Sequence, residues 1–173
     1  MEFKFETAYD QKAVTVMASV IRKTMRKKRS RRSHVFGVIV ALFAILLTLP
    51  LGDRVFVLDF RTVLTWLVSA ILFFTLVFED KINGYIARKR MLPGLSKAIV
   101  TFYPDSYCSE TEIGKSEFKY DSIVMLAETA EYFVFLFSQS HAQIYDKKTI
   151  QGGTIDEFRN FIGDITGIEV QSV

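Results

Sequence analysis

The most pronounced hydropathy pattern in the chain is a pair of uncharged apolar runs in its first half. Val35–Leu51 reads VFGVIVALFAILLTLPL and Thr62–Phe78 reads TVLTWLVSAILFFTLVF, and each run has 17 residues. A helix of this length covers about 25 Å, slightly less than a hydrocarbon core of about 30 Å. Every face of both runs is apolar, whereas a helix in a soluble protein needs a polar face. The pattern predicts a hairpin of two transmembrane helices, 35–51 and 62–78.

The basic residues around these runs predict the orientation of the hairpin. Four follow the second run and only Arg54 and Arg61 lie between the runs. Eight precede the first run and are called the basic collar here: Arg22, Lys23, Arg26, Lys27, Lys28, Arg29, Arg31 and Arg32. By the positive-inside rule we expect both termini in the cytoplasm and residues 52–61 on the other side, as in a multi-pass protein of a cell membrane.

The basic collar has two interpretations that the sequence leaves open. It can be a topology signal alone, or it can contact anionic lipid headgroups, since each juxtamembrane Lys or Arg contributes about 1 kcal/mol near an anionic leaflet. Nucleic acid is not expected as a partner, because the run lacks interleaved aromatic residues.

Small residues recur at spacings of four within both apolar runs. Gly37 and Ala41 form one pair, and Thr65 and Ser69 form another. Such pairs allow close packing of two helices, or of a helix against another subunit. We therefore expect packing within the hairpin, and a homo-oligomer is a second hypothesis.

The first 34 residues predict a strand followed by a helix. Glu2–Glu6 alternates as EFKFE, and apolar residues recur at helical spacing from Asp10 to about Lys28. Asp10 is the expected N-cap. Phe3 and Phe5 predict a strand that pairs with an edge of a sheet in the C-terminal domain.

The chain after the second run predicts a linker over residues 79–94, which can continue as a helical extension to Arg90, and a domain over 95–173. Strands are expected at 97–103, 107–113, 116–120, 123–127, 132–137 and 142–145, and their regular spacing favours an antiparallel meander. A helix should begin after Thr154, which forms a capping box with Glu157, and should end at Gly167. The expected class is an α+β membrane protein: a transmembrane hairpin and a small antiparallel sheet closed by a helix.

Basic residues predominate in the first half of the chain and acidic residues in the second, and the sequence contains no recognisable catalytic motif. Residues 1–90 carry 16 Lys or Arg against 7 Asp or Glu, and residues 91–173 carry 6 against 12. Acidic residues of the C-terminal domain fall on predicted turns and outward strand positions, and the single Cys108 suits a small residue of a strand. No phosphate loop, nucleophile motif or metal-ligand spacing is present. We expect no catalytic residue, cofactor or metal, and no enzymatic activity. The acidic residues on these predicted turns and outward strand positions are Asp105, Glu110, Glu112, Glu117, Asp121, Glu128 and Glu131.

The order of these elements resembles that of the YcxB-like proteins of bacteria. The resemblance is carried by the strand 123–127, then YFVFLF, then HAQIYDKKTI and GGTIDEFRNFI. In that family a Pro-Lys-Arg type corner precedes a closing Glu-Phe-Arg helix, and here Asp146-Lys147-Lys148 stands at the corner. The resemblance implies a C-terminal domain like a pleckstrin-homology (PH) domain in a bacterial cell membrane, and it implies no biochemical activity.

Three functions are compatible with this organisation. The first is a membrane-anchored interaction or regulatory module that binds a protein partner, as yet unknown, at the inner face of the membrane. The others are a regulator that responds to anionic lipid and an accessory subunit of a larger membrane complex.

Overall fold

The computed structural model describes residues 2–50, 57–92 and 94–173, which form helices and strands in an α+β arrangement. The five α-helices of this part are α1 Gln11–Lys23, α2 Lys27–Leu46, α3 Phe60–Val77, α4 Glu79–Lys89 and α5 Ile155–Thr166. Its strands are β1 Phe3–Ala8, β2 Lys97–Phe102, β3 Tyr107–Thr111, β4 Lys115–Phe118, β5 Met125–Glu128, β6 Tyr132–Leu136, β7 Ala142–Asp146 and β8 Val170–Ser172.

The strands form two four-stranded sheets. The first has the order β1-β2-β3-β4 and is antiparallel throughout. The second has the order β7-β6-β5-β8, in which only the β5–β8 pair is parallel. The predicted antiparallel meander is confirmed for β2 to β4 and for β5 to β7, but the single sheet is wrong, because β4 and β5 do not pair and the strands divide into two sheets. Strand β8 is a three-residue strand that the sequence pattern did not indicate.

Strand β1 pairs with a strand of the C-terminal domain, as its alternating EFKFE pattern predicts. It pairs with β2 in a register that joins Phe3 to Phe102 and Phe5 to Val100. Lys4 also forms an isolated bridge with Gln151, near the start of the last helix. The N-terminal segment is therefore part of the same folded unit as the C-terminal strands.

An aromatic core lies between the two sheets and α5. Phe5 from β1, Phe133 from β6 and Phe158 from α5 are fully buried or nearly so. The Phe158 ring lies 4.6 Å from that of Phe5 and 5.1 Å from that of Phe133, measured between centroids in edge-on geometry. Because α5 contributes Phe158 and Ile162 on one face, its apolar stripe closes the core as the sequence predicts.

The ends of α5 follow the predicted capping chemistry. The Thr154 hydroxyl accepts the backbone N–H of Glu157, and the Glu157 carboxylate accepts the N–H of Thr154. Gly167 follows the helix with φ of 65°, the left-handed conformation that glycine adopts without steric cost. Both helix-end predictions are confirmed.

Helix α1 packs on two partners at once. Asp10 caps it by accepting the N–H of Ala13 at 2.7 Å, as predicted. Ala13 and Val20 are buried against a second apolar cluster on β5, β6 and β7. The opposite face contacts α4, where a Cβ added to Gly84 would lie 2.7 Å from Cα of Thr15. Helix α1 therefore connects the folded domain to the helix that continues α3.

Helix α2 joins the basic collar to the first apolar run without a break. The sequence predicts one helix from Asp10 to about Lys28, but α1 ends at Lys23 and α2 begins at Lys27. The predicted helix over 35–51 is wrong at its end, since α2 stops at Leu46. The N–H groups of Thr48 and Leu49 bond to carbonyls three residues back, which makes a tight turn. Leu51 lies outside the described residues.

Within the described ranges, one helix is long and apolar enough to cross a membrane. This helix is α3, Phe60–Val77, of which 11% is buried. Helix α2 does not qualify as a whole because its first eight residues are polar or basic. By this criterion the prediction of two spanning helices is met by the second helix alone.

Helices α2 and α3 pack against each other in antiparallel directions. His34 near the start of the apolar part of α2 meets Leu76 near the end of α3, and Thr48 beyond α2 accepts a hydrogen bond from Nε1 of Trp66 near the start of α3. Gly37, Ala41 and Ser69 are buried, and a Cβ on Gly37 would lie 3.0 Å from Leu76. The small residues predicted to allow close packing are therefore largely in the contact; Thr65 is half-buried and Thr62 replaces it as the buried residue.

Candidate functional site

The basic collar occupies the junction between α1 and α2. Arg22 and Lys23 end α1, Arg26 precedes α2, and the other five residues form the first two turns of α2. Collar residues other than Arg22 and Arg26 are exposed. The collar therefore lies directly before Val35, where the apolar surface of α2 begins.

Arg22 is held in an ion pair across the α1–α4 contact. Its Nε and Nη2 donate to the two carboxylate oxygens of Asp80 at 2.6 and 2.7 Å. Burial alone would raise the pKa of Asp80, but the hydrogen bonds from Arg22 and Ser19 outweigh burial and lower it. This bidentate geometry fixes the orientation of both side chains, so Arg22 is a structural link and its charge is already compensated.

His34 lies between two carbonyl acceptors where α2 meets the end of α3. Its Nδ1 is 2.9 Å from the carbonyl oxygen of Ser30, and its Nε2 is 3.0 Å from that of Leu76. Neutral imidazole donates from one nitrogen only, whereas imidazolium donates from both. The carbonyls of Ser30 and Leu76 therefore raise the pKa of His34, assisted by Glu79 and opposed by burial and Arg22.

The stability of this contact should depend on pH through His34. Because the folded-state pKa is above the unfolded value of about 6.5, the stabilising contribution is complete below that value and is lost as the pH rises through the folded pKa. In detergent, we expect the melting midpoint of the wild type to fall over this range more than that of His34→Gln. Equal pH profiles for the two proteins would contradict the assignment.

A cleft of about 710 Å³ opens between the collar and the edge of the second sheet. Four of the eight collar residues line it, namely Arg22, Lys23, Lys27 and Arg31, together with His34. Its other wall comes from β5 and β8 and the residue after β8: Met125, Gln171, Ser172 and Val173. All titratable side chains in this lining are basic, which makes the cleft an attractive place for an anion.

The remaining collar residues are not gathered in this cleft. Arg26 lines a second cavity of about 360 Å³ between α1 and α4, together with Glu79 and Arg90. Its Nε is buried and has no hydrogen-bond partner in the described part of the chain. Lys28, Arg29 and Arg32 line neither cavity and face outward. The structure therefore divides the predicted lipid-contacting residues into three groups.

We did not assign Glu79, Asp80 or strand β8 to the region around the collar from the sequence. Glu79 and Asp80 directly follow the second apolar run, and in an antiparallel pair that position comes back beside the start of the first run. This placement is a signal from which the ion pair with Arg22 could have been found. The contribution of β8 could not have been found, because Gln171 and Ser172 reach the cleft only through a parallel pairing with β5.

Most acidic residues of the C-terminal domain are exposed, as predicted, but Glu128 is an exception. Glu110 pairs with Lys115 and Glu131 with Lys12 on the surface, and Asp105, Glu112, Glu117 and Asp121 are also exposed. The Glu128 side chain is only 14% exposed.

Two cations hold the Glu128 carboxylate. Arg159 donates to its two oxygens at 2.6 and 2.8 Å, and Lys147 Nζ lies 2.5 Å from one of them. The hydrogen bonds from Arg159 lower the pKa of Glu128 more than burial raises it. Lys147 is itself buried and lies 5.0 Å from the centre of the Phe133 ring. This cluster connects β5, the corner after β7 and α5.

The cluster is made by the motifs that carry the family resemblance. Lys147 stands at the corner where the family has a Pro-Lys-Arg type sequence, and Arg159 belongs to the Glu-Phe-Arg helix. Residues 102–162 match the family model of YcxB-like proteins. The predicted YcxB-like resemblance is thus confirmed for this part of the 173-residue chain. No curated protein and no solved structure matches the chain.

The YcxB-like segment contains the cluster of Glu128, Lys147 and Arg159 but not the basic cleft's collar residues. Among the described residues, no group of three or more His, Cys, Asp or Glu side chains could hold a metal ion. The chemistry available at the cleft is the binding of an anion by cationic side chains.

Proposed function

We propose that the chain is a membrane-anchored module of the YcxB-like type. Helices α2 and α3 cross the bilayer as a hairpin, and the folded domain lies in the cytoplasm, where it binds a protein partner at the inner face of the membrane. Both termini are then cytoplasmic, in a multi-pass protein of a bacterial cell membrane.

The observation that carries this proposal is the pairing of β1 with β2. Strand β1 precedes both apolar helices and β2 follows them, yet the two strands are hydrogen-bonded along their whole length. A single crossing by α3 would put these strands on opposite sides of the membrane. The pairing therefore favours an even number of crossings, and the antiparallel contact of α2 with α3 supports two.

The surface of the helical pair supports insertion in a bilayer. Large apolar side chains are exposed along α3 and along α2 from Val35 onward, although a soluble protein rarely exposes an apolar surface of this extent. Their exposed fractions run from 40% to 82%, and they are Val35, Phe36, Ile39, Val40, Leu42, Phe43, Leu46, Phe60, Val63, Leu64, Trp66, Leu67, Val68, Ile71, Phe74 and Val77.

The short apolar part of α2 is compatible with a crossing. Val35–Leu46 spans about 18 Å as a helix, and apolar residues continue through Leu49 beyond it. Local thinning of the bilayer and extension of collar side chains toward the headgroups accommodate the difference. The collar at its start also favours the cytoplasmic orientation.

The arrangement of strands supports a PH-like domain. Four strands in one sheet and three in the other, β5 to β7, enclose an aromatic core that a C-terminal helix closes. Strand β8 extends this plan by one short parallel strand beside the collar.

A regulator that responds to anionic lipid is a second candidate. It is favoured by the cleft, in which Lys23, Lys27 and Arg31 are exposed and have no ion-pair partner among residues 2–50, 57–92 and 94–173. An accessory subunit packed through its helices, or a homo-oligomer, would use the apolar surface instead.

Site-specific photocrosslinking in native membranes separates these functions. Because β1 belongs to the same sheet as β2, deleting residues 95–173 would also remove the partner of β1, so point replacements are preferable. A photoreactive amino acid at Glu117 or Asp121 samples the domain, and one at Phe43 or Ile71 samples the helices. We expect one defined protein adduct from the domain positions. Adducts from the helix positions alone would favour an accessory subunit, and none from either set would contradict a protein partner.

A further inference from the structure

The cleft beside the collar has the charge of an anion-binding site. Arg22 is compensated by Asp80, but Lys23, Lys27 and Arg31 have no carboxylate within ion-pairing distance in the described chain. Lys27 and Arg31 lie one turn apart on α2, and Lys23, the last residue of α1, also lines the cleft. Three cations that form no ion pair in the described chain thus line one space, although the charge of Lys23 also acts on Asp80.

Strand β8, on the opposite wall of the cleft, offers backbone and side-chain hydrogen-bonding groups. Strand β8 is the edge of its sheet, so the backbone groups along its outer edge have no strand partner in the described part of the protein. The side chains of Gln171 and Ser172 are exposed on this wall. The cations on one side and the polar side chains of Gln171 and Ser172 on the other suit a phosphate, whose oxygens accept from both.

The size and position of the cleft suit the headgroup of a lipid. A volume of about 710 Å³ is in the usual range for a small-molecule site. His34 lines the cleft and is followed immediately by Val35, where the exposed apolar surface of α2 begins. A molecule with a phosphate in the cleft would therefore lay any attached acyl chains along the apolar helices.

We propose that this cleft binds the phosphate-bearing headgroup of a single anionic lipid. The inference rests on the proposed insertion of α2 and α3 in the bilayer. Lys27 and Arg31 contact the phosphate, Lys23 adds charge, and the acyl chains contact α2. The basic collar then has two roles, since Lys28, Arg29 and Arg32 face the membrane surface in general.

The test compares two double variants that remove equal charge from the same helix. Lys27→Gln with Arg31→Gln empties the cleft of two cations, whereas Lys28→Gln with Arg32→Gln removes two cations with the same spacing outside it. The full chain is reconstituted in nanodiscs of phosphatidylcholine with phosphatidylglycerol. Native mass spectrometry then counts the lipids that stay bound to the protein after it is released from the disc. Melting midpoints confirm that both variants are folded.

We expect the wild type and the Lys28/Arg32 variant to retain one phosphatidylglycerol. The Lys27/Arg31 variant should bind it roughly 10- to 30-fold more weakly. Equal loss in both variants would overturn the proposal in favour of diffuse attraction by the collar, and no loss in either would overturn it outright.

A second arm distinguishes a lipid from a free anion. Inorganic phosphate is titrated into protein in discs of phosphatidylcholine alone, and the melting midpoint is followed. Binding as tight as that of phosphatidylglycerol would overturn the assignment to a lipid. Extraction of membranes with alkaline carbonate tests the anchor separately, and release of the wild type would refute the proposed function. If the wild type is retained but the Lys27/Arg31 variant binds as many phosphatidylglycerol molecules as the wild type, only this inference is refuted.

Discussion

Replacement of Glu128 by glutamine is expected to lower the free energy of unfolding by about 3 kcal/mol, because Lys147 and Arg159 lose their shared counter-charge. Lys147 is 8% exposed, so its ammonium cannot regain full hydration in the folded protein. Arg159 is 37% exposed and recovers part of its hydration, which keeps the expected loss near the lower end for a buried pair. Thermal or denaturant unfolding in detergent measures the change.

A surface pair provides the matched control. Glu110 and Lys115 also form an ion pair at 2.6 Å, but both side chains are more than half exposed. Glu110→Gln should therefore leave the melting midpoint unchanged within error. Adding Lys147→Met to Glu128→Gln should recover part of the loss, since the unpaired buried charge is then removed. An effect of Glu128→Gln no larger than that of Glu110→Gln would contradict the described role of the cluster.

The same carboxylate predicts a response to acid. Since the pKa of Glu128 is lowered in the folded state, its stabilising contribution is present above the unfolded value of about 4.5 and is lost as the pH falls through the folded pKa. The wild type should lose stability over this acidic range more steeply than Glu128→Gln.

Replacement of Gly84 by leucine should separate α1 from α4 and destabilise the protein by about 3 kcal/mol or more. A Cβ at this position would lie 2.5 Å from Oγ1 and 2.7 Å from Cα of Thr15. A side chain could rotate away, but the backbone of α1 cannot move without disturbing the Arg22–Asp80 pair and the packing of Val20. Hydrogen exchange should therefore accelerate in Gln11–Lys23 and Glu79–Lys89.

Gly163 in the middle of α5 is the control for this substitution. The nearest atom to a Cβ there is the carbonyl oxygen of Ile168 at 3.9 Å, which is an ordinary contact. Gly163→Ala should stabilise the protein by about 0.5–1 kcal/mol, because alanine has the higher helix propensity. A Gly84→Leu variant as stable as the wild type would refute the described packing of α1 on α4, whereas destabilisation by Gly163→Ala would contradict only the open space described around Gly163 in α5.

The strands and caps of the C-terminal domain were predictable because their signals are local. Alternating residues and turns placed β2 to β7 within a few residues of their observed bounds, and the Thr154–Glu157 capping box lies within one helical turn. The EFKFE pattern also predicted the pairing of β1, since a short apolar strand has to be buried against another sheet edge.

Features that depend on distant contacts could not be predicted in the same way. Glu128 looked like a surface carboxylate because Arg159 is 31 positions away in the chain and meets it only in the fold. The end of α2 at Leu46 had a local signal in Pro50, which cannot donate a hydrogen bond to the Leu46 carbonyl, although apolarity alone suggested a helix to Leu51. The hydrogen bond from Trp66 of α3 to Thr48 is visible only in the fold. The division of the collar into cleft-lining and outward-facing residues required the position of β8.

Cysteine accessibility in intact cells tests the membrane hairpin most directly. In a Cys108→Ser background, single cysteines are introduced as Glu2→Cys, Leu58→Cys and Gly114→Cys, and cells are treated with a membrane-impermeant maleimide before and after lysis. Leu58 and Gly114 are in exposed or open positions, so neither substitution should disturb the fold. We expect labelling of Leu58→Cys in intact cells, and labelling of the other two only after lysis. Labelling of Glu2→Cys or Gly114→Cys from outside, or protection of Leu58→Cys until lysis, would contradict the two crossings.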